Sequence, residues 1–359
     1  MNRNLKQYST LLWQSIFFWG IALGCYVIFR FFGIDEEVGI QTNPDFRFKE
    51  ALFAFVILGM FLGLIYATVD FIFDKFFSKQ ITLGLRIIVK SFIDFTITIT
   101  IFTMMLKISS KIFNVDFNTE QGWWRDDKSF WAIIIYLVLV SFVFSFITIA
   151  VEKFGKGVFL KMLLGKYKNP QEEKRIFMFL DLKDSTTIAE NLGHYAYSQF
   201  IQDCFYDLND VVPKYDAEIY QYVGDEAVLC WPYRKGISQQ KCIGIFFSFK
   251  NNLDEKKEYY LNKYGVSPEF KAGLHGGQIM VSEVGTVKKE LAYHGDVINI
   301  SARIQSQCNT YNEFFLISSE LLSDIQIEEE FSVKEIGALK LKGKNELVDI
   351  CAIQQMAEI

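Results

Sequence analysis

Hydrophobic positions change their pattern once along this chain, near residue 150. Before that point they form four nearly unbroken stretches, residues 11–32, 51–73, 87–106 and 130–150. Each approaches the roughly 20 residues that a helix needs to cross the hydrocarbon core of a bilayer. Residues 1–151 are therefore predicted to form an α-helical four-span membrane domain with the lipid bilayer as its partner. The first stretch is too long for a signal-peptide core and no small-residue cleavage site follows it, so it is expected to remain as an anchor. From 152 to 174, Lys and Gly alternate with Val158, Phe159, Leu160, Met162, Leu163 and Leu164. That suits a short amphipathic linker or transducer helix, ended by the break at Asn169-Pro170.

Residues 175–359 carry shorter periods. The run RIFMFLDL (175–182) predicts a buried strand ending on Asp181, and 186–214 a long helix with Ile188, Leu192, Phe200, Ile201, Phe205 and Leu208 inward. Strands at 218–222 and 227–231 flank Val223-Gly224-Asp225-Glu226, which reads as a hairpin with its acid at the turn. A helix over 239–263, strands at 269–275 and 278–284, a helix over 296–308 and strands at 313–317 and 346–353 complete the pattern. This order predicts an α+β ferredoxin-like sheet with helices on one face.

Composition sharpens the division. The chain is 51% hydrophobic with 36 Phe among its 359 residues, far too apolar to be disordered, and most of the excess lies before residue 151. Arg3 and Lys6 in the N-terminal tail, and Lys75, Lys79 and Arg86 after the second stretch, mark the cytoplasmic side. An even number of spans then puts the N-terminus and everything after Val151 in the cytoplasm, at the plasma (cell inner) membrane. Trp123, Trp124 and Trp131 would lie at the outer interface. Gly59 and Gly63 form a GxxxG step that lets another helix come close or is simply tolerated in lipid. Asp94, one turn after Lys90, is costly within a span and predicts a local ion pair or a sensing role. The net charge of −5 has no basic concentration, so no nucleic acid partner is expected. Six dispersed cysteines and three histidines form no metal-ligand spacing, and they read as reduced, partly buried residues.

Asp181 at a strand end and Asp225 at the adjacent hairpin make an oxygen-ligand pair suited to Mg²⁺ or Mn²⁺ beside substrate phosphates. The backbone from Lys183 through Asp184, Ser185 and Thr186 enters a helix, whose N-terminus favours anionic phosphate. Asn299 and Arg303, four apart on a helix, could orient a ribose and offset charge on a phosphate. Taken singly, each feature is as well explained by a turn-capping Asp or a solvated helix face.

Their combination is more specific. FLDLKDST (179–186), YVGDEAV (222–228), GLHGG (273–277), HGDVINISAR (294–303) and LKLKGK (339–344) resemble, in order and spacing, the motifs of class III nucleotidyl cyclases of the membrane-anchored bacterial type. The resemblance covers roughly residues 172–353. It implies that residues 175–359 are a catalytic domain binding two Mg²⁺ or Mn²⁺ ions per site through Asp181, Asp225 and the Leu182 carbonyl. It further implies transition-state roles for Asn299 and Arg303, a phosphate-reaching Lys342, and a homodimer whose sites combine the metal ligands of one chain with the Asn/Arg pair of the other. The resulting expectation is an adenylate cyclase converting ATP to 3′,5′-cyclic AMP and pyrophosphate. Three positions depart from the pattern: Asp184 stands where the motif commonly has Gly, Gln221 where Lys or Glu usually reads the base, and Ala292 where Asp, Thr or Ser does. A Gln amide donates and accepts, so GTP, or mixed specificity, stays open. So do a diguanylate cyclase, through Gly224-Asp225-Glu226, and a cyclase-like receptor module that has lost catalysis.

Overall fold

A computed structural model of the chain describes residues 3–32, 48–77, parts of 85–104, 128–154, 158–287, 289–340 and 347–356. They form two compact units, Met1–Phe154 and Gly155–Ile359.

The first unit contains three long helices, α1 (Arg3–Phe32), α2 (Phe48–Phe77) and α3 (Lys128–Phe154). Each holds a segment long and apolar enough to cross a membrane: Leu11–Phe31, Phe48–Phe73 and Trp131–Thr148. The third of the four stretches expected from sequence is described only in part, as helical residues, and Asp94, Trp123 and Trp124 lie outside the described residues. Phe17, Phe53, Phe142 and Phe146 point outward, as lipid-facing residues would. With water absent from both the outside and the interface, helices in a membrane associate through close contact rather than hydrophobic burial. The GxxxG step of α2 provides that contact against α1. A Cβ at Gly59 would lie 2.2 Å from the Trp19 carbonyl oxygen, and one at Gly63 2.5 Å from that of Ser15. Beside the crossing Trp19 packs on Tyr66, with ring centroids 4.7 Å apart, and Tyr136 of α3 donates to the Ala22 carbonyl of α1 at 2.5 Å. Lys90 pairs with Asp70 of α2 at 3.1 Å, a long-range acid that its sequence position did not single out.

The second unit begins with the short helix α4 (Val158–Leu163) and enters the central strand β1 (Gln171–Leu182). Then follow α5 (Ser185–Val211), β2 (Glu218–Val223), β3 (Glu226–Pro232), α6 (Tyr233–Ile237), α7 (Lys241–Glu255) and α8 (Lys257–Tyr264). The remainder is β4 (Phe270–Val284), β5 (Glu290–His294), α9 (Asp296–Ser306), α10 (Cys308–Tyr311), β6 (Phe315–Ser318), α11 (Ser319–Ser323), β7 (Phe331–Lys340) and β8 (Leu347–Gln355). The sheet order is β2-β3-β1-β4-β6-β8-β7, with β5 paired to β4. β1 runs antiparallel to both its neighbours, and β6 is parallel to β4.

Alternation along β1 explains its uninterrupted apolar run. Ile176, Met178 and Leu180 pack with Phe200 and Cys204 of α5 and Phe246 of α7, whereas Phe177 and Phe179 pack on the other face with Ile279, Tyr293 and Val297. Helices therefore cover both faces, contrary to the one-sided layer expected from sequence, because α9 carries its own apolar stripe, including Ile300 and Ile304. α9 sits close because β4 has glycine beneath it: a Cβ at Gly273 would lie 2.2 Å from the Gln305 backbone nitrogen, and one at Gly277 2.9 Å from Val297. Those glycines sit inside one continuous strand, whereas the GLHGG segment reads in sequence as the border between two. The helix expected over 239–263 is interrupted at Lys256 (φ −98°, ψ 12°).

One buried charge cluster ties the start of β1 to β2. Arg175 is 1% exposed and pairs with Glu173 at 2.9 Å and Glu218 at 2.7 Å. Burial pushes the Glu173 carboxyl up, but hydrogen bonds from Lys166, Arg175 and Tyr167 together with the Arg175 charge outweigh it and leave it at about 2. Replacing one member of such a cluster leaves uncompensated buried charge, so Arg175→Met should cost about 3–5 kcal/mol in denaturant unfolding of the protein. In the first unit, Gly63→Leu should separate α1 from α2 and lower the melting temperature in detergent. Leu64→Ala, at an outward-facing position of the same helix, should be nearly silent.

Candidate active site

The antiparallel register of β1 with β3 sets Asp181 directly opposite Glu226, with Asp225 next to it in the β2–β3 turn. On β3, Val228 and Cys230 belong to the cluster that contains Phe177 and Phe179. Strand alternation therefore puts Glu226 on the same face as Asp181. The like charges act on one another. Burial, and after it the charge of Asp225, raises the Asp181 carboxyl above the usual range, against the opposing effects of Gln305 and Lys271. Burial, with Asp181 and Asp225 acting in the same direction, pushes Glu226 up to about 7. An all-oxygen cluster whose members disfavour each other's charge is a donor set that suits a hard divalent cation. Asp181 and Asp225 are thus two carboxylates close enough to act on each other's charge.

On the other side of Asp181, Lys271 of β4 is its register partner, is buried, and donates to the Asn309 side chain. From α9, the Gln305 amide nitrogen donates to Asp181 Oδ2 at 3.1 Å. Glu226, Lys271 and Gln305 were not singled out from sequence. Glu226 could have been found as the first residue after the turn on the face of Asp181, and Gln305 as the polar member of a stripe otherwise made of Val297, Ile300 and Ile304.

Beyond β1 the chain turns through Asp184 into α5. Asp184 is exposed and adopts the left-handed region (φ 56°, ψ 28°), which explains why glycine is common at this position of the motif. Its side chain makes no cap hydrogen bond. The first amides of α5, at Ser185 and Thr186, are therefore not capped by it, in keeping with a phosphate-facing helix start. The Ser185 side chain is half-buried and hydrogen-bonds to Tyr197, while Thr186 is exposed.

Asn299 and Arg303 lie one turn apart on α9, off the stripe that faces the sheet; Asn299 is exposed and Arg303 half-buried. Among the described residues neither side chain makes a hydrogen bond or ion pair, whereas Gln305 on the same helix bonds to Asp181. Gln221 is exposed on β2 beside an irregularity in the pairing with β3. Ala292 lies on β5 opposite Ser282. Tyr220 and Tyr293, their chain neighbours, meet edge-on at 4.9 Å. Lys342 lies outside the described residues. His275 is buried with Nδ1 2.7 Å from Ser318 Oγ, a packing role, and the described cysteines are all free.

A mixed sheet with paired carboxylates at the end of its central strand, and an Asn/Arg helix beside it, defines a nucleotidyl cyclase domain. Residues 167–352 match the model of the adenylate and guanylate cyclase catalytic domain, and the chain belongs to that class III family. It is 31% identical over 221 residues to adenylate cyclase 2 of Rhizobium meliloti (strain 1021), covering 62% of this chain and 61% of that protein. With the adenylate cyclase of Anabaena cylindrica it shares 20% identity over 181 residues, 49% of this chain and 36% of the other. The chain thus spans less than two thirds of the length of these relatives. A bacterial light-regulated adenylyl cyclase has the same fold, with a TM-score of 0.53 at 14% identity over 68% of this chain and 73% of that one.

A carboxyl whose folded pKa is raised stabilises the fold below its unfolded value and loses that contribution as pH rises through the folded one. For Glu226 the window runs from 4.5 to about 7. Without divalent cation, Glu226→Gln should therefore melt higher than the unmodified protein at about pH 8 and lose that advantage below about pH 4.5. Adding Mn²⁺ at neutral pH should raise the melting temperature of the unmodified protein and narrow the gap.

Proposed function

We propose that this protein is a membrane-anchored adenylate cyclase that converts ATP to 3′,5′-cyclic AMP and pyrophosphate at sites shared between two copies of the chain. The observation that carries the reading is the division of the machinery: one chain gathers Asp181, Asp225 and Glu226 at one strand end, yet leaves Asn299 and Arg303 with no partner among its own described residues. A head-to-tail homodimer supplies what each half lacks. Residues 1–151 serve as a four-span anchor, 152–174 as a transducer, and 175–359 as the catalytic domain facing the cytoplasm.

Two Mg²⁺ or Mn²⁺ ions held by Asp181, Asp225 and the Leu182 carbonyl would supply Lewis-acid activation of the ribose 3′-hydroxyl and neutralisation of the triphosphate. The protein's own groups then position and stabilise. The amides at Ser185 and Thr186 hold phosphate oxygens, and Lys342 reaches the terminal phosphates. Asn299 orients the ribose so that its 3′-oxygen stands in line with the α-phosphorus. As that oxygen attacks and its proton leaves, the bond to pyrophosphate breaks, and Arg303 offsets the charge that develops. Gln221 reads the base edge. Relatives that are adenylate cyclases and the absence of Glu at position 221 favour ATP, while the Gln221 amide, which donates and accepts, suits either purine edge and so admits GTP as a second substrate.

The test is product analysis on the full chain in detergent or nanodiscs with ATP or GTP and Mn²⁺. Cyclic AMP should form, and Asp225→Ala and Arg303→Ala should each lower its rate by about 10²–10³-fold. Mixing the two inactive variants should restore part of the activity through one intact site. A cyclic dinucleotide without cyclic mononucleotide, or no product with either nucleotide, would overturn the proposal.

A further inference from the structure

α9 carries both the unpartnered Asn299/Arg303 pair and a residue that grips the cation-binding strand of its own chain. Gln305 is 9% exposed, and its amide donates to Asp181 Oδ2 at 3.1 Å. Among the described residues no other side chain donates to that carboxylate. The grip is stiff, because the Gln305 backbone lies against Gly273 of β4 so tightly that a Cβ there would come within 2.2 Å of its nitrogen. Ser301, one turn earlier, is fully buried and bonds back to the Val297 carbonyl. A side-chain amide is neutral, so it fixes one oxygen of Asp181 without competing for a cation as an ammonium group would, and it leaves the other oxygen free. Hydrogen-bonded partners that orient a metal ligand in this way commonly govern affinity as much as geometry.

We infer that Gln305 is a positioning residue for Asp181, so that α9 serves two sites at once. Gln305 fixes a cation-binding carboxylate of its own chain, while Asn299 and Arg303 reach the site of the neighbouring copy. The second half rests on the shared-site reading above; the first does not. The carboxylate on β1 and the Asn/Arg pair on α9 of one chain are thereby coupled through the Gln305 hydrogen bond, although they work in different sites.

Calorimetric titration of the full chain in nanodiscs with Mn²⁺ alone tests the first half. Gln305→Met keeps the length and packing but loses the donor, and should bind Mn²⁺ about tenfold more weakly while still unfolding in one cooperative transition. If that variant fails to fold, Gln305→Asn, one methylene too short to reach Asp181, carries the same expectation. Unchanged Mn²⁺ affinity in a folded variant would overturn the inference. The second half is read in the restored mixture of Asp225→Ala and Arg303→Ala chains. Its one intact site uses Asp181 of the Arg303→Ala chain and Arg303 of the Asp225→Ala chain. Gln305→Met placed in the Arg303→Ala chain should raise the Mn²⁺ concentration needed for half-maximal rate, and placed in the other chain should leave it unchanged. The opposite pattern would overturn the assignment to the chain's own Asp181. No restoration in the parent mixture would reject the shared site and the two-site role of α9, leaving the titration to decide the hydrogen bond alone.

Discussion

Mutual repulsion among carboxylates at the end of β1 is the constraint around which the second unit is arranged. Asp181 and Glu226 face each other across paired strands and Asp225 adjoins them at the turn, a placement that costs stability in the absence of a cation. Everything that touches the cluster moderates that cost without removing it. Lys271 lies alongside on β4, and Gln305 arrives from α9 to hold one oxygen of Asp181. A fold that selected only for stability would replace these acids, which here stand at the end of the central strand of a well-packed sheet.

Close approach of backbones is the second organising device, and both units use it. α2 meets α1 through Gly59 and Gly63, and α9 meets β4 through Gly273 and Gly277. In the membrane unit the absence of a side chain allows van der Waals contact where lipid offers no hydrophobic gain on association. In the other unit it brings the helix low enough for Gln305 to reach a strand two positions into the sheet. The same residue type therefore fixes an anchor in one case and the aim of a polar side chain in the other.

Much of this was legible in the sequence where local periodicity and burial agree. The apolar stretches that became α1, α2 and α3, the strand ending on Asp181, the hairpin with Asp225 at its turn and the helix carrying Asn299 and Arg303 all have a strong period and a clear stop. Failures cluster where tertiary contact overrides a local signal. Gly276 and Gly277 look like a turn, yet they lie inside β4 because Tyr233 and Val297 occupy the space their side chains would take. β5 and β7 are edge or near-edge strands with mixed polarity, too weakly patterned to stand out. Coverage of both sheet faces could not be read from element order, since it depends on which side α9 crosses. Gln305 stands out only as a polar member of the apolar stripe of α9, and that position does not name its acceptor, Asp181.

The buried Arg175 also acts as a check on strand alignment. Its counter-charges come from two strands, Glu173 on β1 itself and Glu218 on β2, and the ring of Tyr293 on β5 lies 5.6 Å away. A slip of β1 by one residue would turn its guanidinium to the other face of the sheet, away from Glu218 and the Tyr293 ring. Misaligned sheets are thus penalised far more heavily than a purely aliphatic strand would penalise them. The accuracy with which Asp181 ends up opposite Glu226 is proofread from the far end of the same strand.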